Sequence, residues 1–145
     1  MPVQRQQWLD TEGDEESRMK DDKFKVLMVD DEKDILDFFT KAFQGFSHID
    51  FLASTSAQKG VEIAKAERPE VVLMDLRMPG MNGEEALREL KSLLPKTKFI
   101  IMTGWEDGET RERLENEIGV AAYYTKPVDL EQVVTKVMNL IMVRE

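Results

Sequence analysis

The sequence predicts an α/β fold, a doubly wound five-stranded parallel sheet with helices on both faces. Three observations lead there. Short, nearly continuous apolar runs recur, as suits strands buried on both faces. Stretches with apolar residues at helical spacing separate them. The two patterns alternate from Phe24 to the end of the chain, which implies a βα repeat.

The first run, Val26-Leu27-Met28-Val29, ends in Asp30-Asp31-Glu32. Ile35, Leu36, Phe38, Phe39, Ala42 and Phe43 then recur at helical spacing, and Gly45 is expected to close that helix. Ile49, Phe51 and Ala53 alternate with Asp50 and Leu52, which predicts a half-exposed edge strand. Ser54-Thr55-Ser56 offers N-caps for a second helix burying Ala57, Val61 and Ala64, and Pro69 ends it. The third strand, Val71-Val72-Leu73-Met74, runs directly into Asp75. Ala86, Leu87, Leu90, Leu93 and Leu94 mark a third helix, stopped at Pro95. Phe99-Ile100-Ile101-Met102 ends in Thr103. The stretch from Asp107 to Ile118 is a poor helix, nearly all charge, anchored by Leu114 and Ile118. Ala121-Ala122-Tyr123-Tyr124-Thr125 ends in Lys126-Pro127, and Leu130, Val133, Val134, Val137, Met138 and Ile141 mark a strong last helix.

Right-handed crossovers leave few topologies for five such units. The flavodoxin-like order 2-1-3-4-5 puts strands one and three side by side, so Asp30, Asp31 and Asp75 meet where open α/β sheets bind ligands. Three neighbouring carboxylates repel one another unless a cation sits among them. With no cysteine and a single histidine, His48, the ligands are hard oxygens, which suit Mg²⁺ or Mn²⁺. The Thr103 hydroxyl and Lys126 ammonium complete a set suited to a transferring phosphoryl group. Asp75 is the best candidate nucleophile, because it stands alone at its strand end.

Four segments carry a resemblance: Val29-Asp30-Asp31-Glu32, Met74-Asp75-Leu76-Arg77-Met78-Pro79-Gly80-Met81-Asn82-Gly83, Met102-Thr103-Gly104 and Tyr123-Tyr124-Thr125-Lys126-Pro127. In this order and spacing the chain, from about Lys23 to Glu145, resembles the receiver domain of two-component response regulators. The resemblance implies that Asp75 is phosphorylated by a histidine kinase or phosphotransfer protein. It implies that Asp31 ligates Mg²⁺ directly, Asp30 mainly through water, and Arg77 through its backbone carbonyl, with Asp75 completing the metal set. Thr103 matches the switch hydroxyl, Lys126 the lysine that pairs with the phosphoryl group, and Tyr123 the aromatic that turns inward on activation. Arg77 and Trp105 stand where that family tunes phosphoryl lifetime, so Arg77 is expected to alter autodephosphorylation. The stretch between Thr103 and Lys126 is about one residue longer than the resemblance leads one to expect.

The charge of -9 and pI near 4.8 argue against direct nucleic-acid binding. No stretch approaches the roughly 20 apolar residues that span a bilayer, and no secretory signal is present, so a cytoplasmic protein is expected. Residues 1–22 carry Asp10, Glu12, Asp14, Glu15, Glu16, Asp21 and Asp22 against Arg5, Arg18 and Lys20. They are expected to be a flexible acidic tail in which Trp8-Leu9 is a candidate docking motif, leaving 23–145 as the domain.

The expected function is therefore a phosphorylatable switch that is not an enzyme in the ordinary sense, acting on a downstream protein through the fourth helix, fifth strand and fifth helix. A homodimer through the same face is compatible. With no linker or output domain after the last helix, a stand-alone receiver is expected; a fragment of a larger regulator or hybrid kinase is the alternative. A receiver-like interaction module that takes no phosphate is a second reading, although the acids, acceptor and lysine are all present. An aspartyl phosphatase fits poorly, because those enzymes place an acid where Arg77 stands.

Overall fold

The computed structural model describes residues 23–104 and 108–142; the expected tail with Trp8-Leu9, and Trp105, lie outside them. Strands β1 (Phe24–Val29), β2 (Ile49–Ser54), β3 (Val71–Met74), β4 (Lys98–Thr103) and β5 (Ala122–Thr125) form one parallel sheet in the order β2-β1-β3-β4-β5. The chain thus turns one way after β1 and the other way after β2, and the reversal leaves a crevice between β1 and β3.

Each central strand is apolar throughout because both its faces are covered, and alternate residues feed separate cores. Leu27, Val29, Val72, Met74, Phe99 and Ile101 point to one face. There they meet α2 (Ala57–Glu67), α3 (Gly83–Leu93) and the Leu114–Ile118 turn. Val26, Met28, Leu73, Ile100 and Met102 point the other way, onto α1 (Lys33–Phe43) and α5 (Leu130–Met142). Even edge strand β2 is two-sided, with Leu52 against the first core and Phe51 against the second.

Local chemistry sets the helix ends. Ser56 caps α2 by accepting from the Lys59 N–H, and Asn82 caps α3 by accepting from the Glu84 and Glu85 N–H groups. Gly45 does not close α1 as expected. The helix stops at Phe43, Gln44 caps it with right-handed backbone angles, and Gly45 is not among the positive-φ glycines. Phe38 and Leu93 keep the helical period, yet they are 62% and 48% exposed, because the stripe facing the sheet is narrower than the sequence pattern.

The weakest element is α4 (Gly108–Arg113), which passes into a π-helical turn over Leu114–Ile118. The Gly119 N–H donates to the Leu114 carbonyl at 2.9 Å, and Gly119, at φ +81, ends the turn. A π turn takes one residue more than an α turn, so this segment holds one more residue than an α-helical turn would. Among the described residues no helix is long and apolar enough to cross a membrane.

Candidate functional site

Parallel strands all end at the same edge, so the sheet delivers the predicted side chains to one place. Backbone ladder bonds continue past the strands and fix where each begins. The Asp30 N–H donates to the Ser54 carbonyl at 3.1 Å, the Asp75 N–H to the Val29 carbonyl at 3.1 Å, and the Lys126 N–H to the Thr103 carbonyl at 2.7 Å. Asp30, Asp31 and Asp75 bring carboxylate oxygens within 4.8 Å of one another. Asp30 and Asp75 are buried, while Asp31 faces solvent.

Lys126 sits between the two buried acids. Its Nζ lies 2.7 Å from Asp30 Oδ2 and 3.0 Å from Asp75 Oδ2, with the exposed Glu32 carboxylate 3.7 Å away. The Lys126–Pro127 peptide bond is cis. The remaining carboxylate oxygens are held by the backbone: Glu32 N–H donates to Asp30 Oδ1 and Arg77 N–H to Asp75 Oδ1, each at 2.9 Å. Burial pushes the Asp30 pKa upward, and the contacts with Lys126 and the Glu32 N–H only partly oppose it. Burial would lower Lys126, but its contacts with the Asp30 and Asp75 carboxylates outweigh it and hold the ammonium above its ordinary value.

The residues fit a small hard cation. Three carboxylates converge, and Asp30 Oδ2 is fully buried with an ion contact to Lys126 but no aligned hydrogen bond. Such an oxygen has ligand capacity to spare, and an oxygen-only donor set suits Mg²⁺ or Mn²⁺.

Beside the acids lies a cleft of about 620 Å³, with Asp31, Arg77, Thr103 and Tyr123 in its lining. Thr103 is buried at the end of β4. Tyr123, expected to turn inward on activation, is already only 5% exposed, with the Arg111 guanidinium 5.4 Å over its ring. All the predicted site residues within the described region therefore gather at one sheet edge or line the cleft next to it.

The stretch after Asp75 is more than a connection between strand and helix. It folds back as a hairpin of Arg77–Met78 against Met81–Asn82, turning at Pro79-Gly80 with Gly80 at φ +79. The Pro-Gly pair carried that signal. Gly83 then packs directly on the loop: a Cβ there would meet the Leu76 carbonyl oxygen and lie 2.6 Å from the Leu76 Cα. Gly83→Ala must push back the backbone that follows Asp75. We expect it to cost about 2 kcal/mol, and an unchanged urea midpoint would contradict this packing.

Glu84, also in the cleft lining, was missed altogether. Its place in the first turn of α3 suits the helix dipole, which is all the sequence could reveal.

The model of the response regulator receiver domain family matches residues 26–138. The chain is 30% identical over 109 residues to sporulation initiation phosphotransferase F of Bacillus subtilis, covering 75% of this chain and 86% of that protein. It is 34% identical over 119 residues to protein PilH of Pseudomonas aeruginosa, covering 81% and 97%. A CheY-like response regulator receiver domain protein from Methanospirillum hungatei superposes with a TM-score of 0.75 at 26% identity, covering 83% of this chain and 95% of that one. Other relatives of similar identity are longer regulatory proteins, of whose length this chain spans 54%, 53% and 24%.

Proposed function

Because this chain belongs to the family of response regulator receiver domains, whose general role is phosphorylation-based signalling, we propose that Asp75 is its phosphoryl acceptor. The observation that carries the proposal is the convergence at one sheet edge of three carboxylates within 4.8 Å, with the Lys126 ammonium 3.0 Å from Asp75. A phosphohistidine on a kinase or phosphotransfer protein is the donor. A carboxylate oxygen of Asp75 attacks phosphorus, the P–N bond breaks, and the histidine nitrogen keeps the electron pair and takes a proton.

Asp31 and Asp75, with Asp30 through water and the Arg77 carbonyl, would hold Mg²⁺ or Mn²⁺, which when bound supplies positive charge to the phosphoryl oxygens. Lys126 neutralises one of those oxygens, and the Thr103 hydroxyl donates to another. Deep burial of Asp75 keeps bulk water from competing for these contacts.

The acyl phosphate adds roughly -1.5 to -2 charges next to Lys126 and Thr103. Drawing Thr103 toward it changes the cleft that Thr103 shares with Tyr123. Tyr123 is already inside, so it would follow by shifting within the cleft. The surface built by α4, β5 and α5 would then present a different shape to a downstream protein. Arg77, two residues from the acceptor, would tune how long the group survives; an Arg77→Ala protein with an unchanged autodephosphorylation rate would remove it from that role.

Phosphoramidate with Mg²⁺ tests the proposal by intact mass. The wild type should gain one phosphoryl group and Asp75→Asn none. A wild type that gains nothing favours a receiver-like interaction module.

A further inference from the structure

Beyond the acceptor site, a group of charges joins α3 to α4 at the rim of the cleft. Arg113 of α4 forks onto Glu84, its Nε donating to Oε2 and an Nη to Oε1, each at 2.9 Å. Arg88 donates to Glu84 at 3.1 Å and to Glu117 of the π turn at 2.9 Å. Two arginines and two glutamates thus form one chain of contacts across the helix pair. We infer that Glu84 is a positioning residue: through Arg113 it holds α4 against α3 and so sets how readily the Thr103 wall of the cleft moves.

Several observations carry this. The α4 segment buries none of its own residues, and only Leu114 and Ile118 in the turn after it reach the core. A helix so thinly anchored depends on its lateral contacts more than its neighbours do. An exposed single ion pair would be too weak for this purpose. Here the guanidinium fork is bidentate, and the Glu84 side chain is 24% exposed. The paired arginines hold the Glu84 carboxyl down at about 2, as a tightly bound carboxylate requires. Position supplies the link to function, since Glu84 and Thr110 of α4 line the same cleft as Thr103 and Tyr123. A shift of Thr103 toward Asp75 alters the cleft on which α4 rests, and the fork resists the motion of that helix.

The link to switching rests on the acceptor role proposed for Asp75; the hold on α4 does not. Amide hydrogen exchange and phosphorylation by acetyl phosphate with Mg²⁺ are to be measured on the wild type, Glu84→Gln, Arg113→Gln and the swap Glu84→Arg/Arg113→Glu. Both single variants should speed exchange over residues 108–118 roughly fivefold, leave β1, β3 and β4 unchanged, and shorten the half-time of phosphorylation. The swap restores the fork but sets a second arginine beside Arg88, so it should return both quantities only part of the way toward wild type. Unchanged exchange over 108–118 in both single variants would overturn the inference, as would faster exchange with an unaltered half-time. Strand exchange serves as the folding control, and Arg113→Gln decides if Glu84→Gln fails it. A wild type that takes no phosphoryl group would refute the acceptor role instead, and the exchange data would still decide the hold on α4.

Discussion

Replacing Lys126 by methionine is expected to destabilise the metal-free chain by about 3 kcal/mol. The lysine is the cation between two buried carboxylates, 2.7 Å from Asp30 and 3.0 Å from Asp75. Removing it leaves two like charges facing each other in a desolvated crevice, and breaking a buried pair costs far more than losing a surface one. The site should respond by taking up protons, so the loss should be largest at neutral pH and smaller in acid. Mg²⁺ should restore part of it, since an ion at a hundred times its Kd adds about 2.7 kcal/mol. Urea unfolding with and without Mg²⁺ measures both effects. A variant as stable as wild type without metal would show that Lys126 does not compensate these acids.

Asp30→Asn should act in the opposite direction. Burial raises the Asp30 pKa in the folded chain, so folded protein binds more protons there than unfolded protein does. Its contribution to stability therefore falls as pH rises from about 4 through the folded value, and above that value the buried charge opposes folding. An asparagine of the same shape removes that cost, while Lys126 keeps Asp75. We expect a gain of about 1 kcal/mol at pH 7, shrinking toward acid, together with weaker Mg²⁺ binding. Lys126 provides a second check. Its pKa is raised, so the stability it contributes is present below its unfolded value and is lost as pH rises through the folded one. Losing one of its two buried partners should make that alkaline loss smaller. A destabilised Asp30→Asn protein at neutral pH would mean that the ion pair outweighs the burial.

Both expected signs follow from one arrangement, acids buried in a crevice where their charge costs stability. Their cost is lowest when a cation sits among them, which is what a phosphoryl acceptor needs. Gly83, by contrast, serves only geometry: it lets α3 approach the backbone behind Asp75.

The fold was legible because strand chemistry is local. Apolar runs ending in Asp30, Asp75 and Thr103 place those residues at one edge once the sheet is parallel, and alternation of helices with strands makes it so. The candidate site followed from the same fact. What was hidden depends on residues far apart in the chain. Nothing in the sequence says that Arg113 reaches Glu84, 29 residues earlier, or that Lys126 rests on Asp30 as well as Asp75. The π turn at Leu114–Ile118 was hidden as well, since it goes with the packing of those two side chains into the core. Phe38 and Leu93 fit a helical period yet face solvent, because periodicity marks a face and not its width.

Everything proposed for this site turns on one carboxylate, Asp75, taking the phosphoryl group with the help of a divalent ion. Fragment mass spectrometry of the wild type after acetyl phosphate treatment, with Mg²⁺ or with a chelator, tests this most directly. One phosphoryl group is expected on the peptide carrying Asp75, formed with Mg²⁺ and absent with the chelator. A phosphoryl group on another residue, such as Thr103, or equal labelling in the chelator, would contradict it.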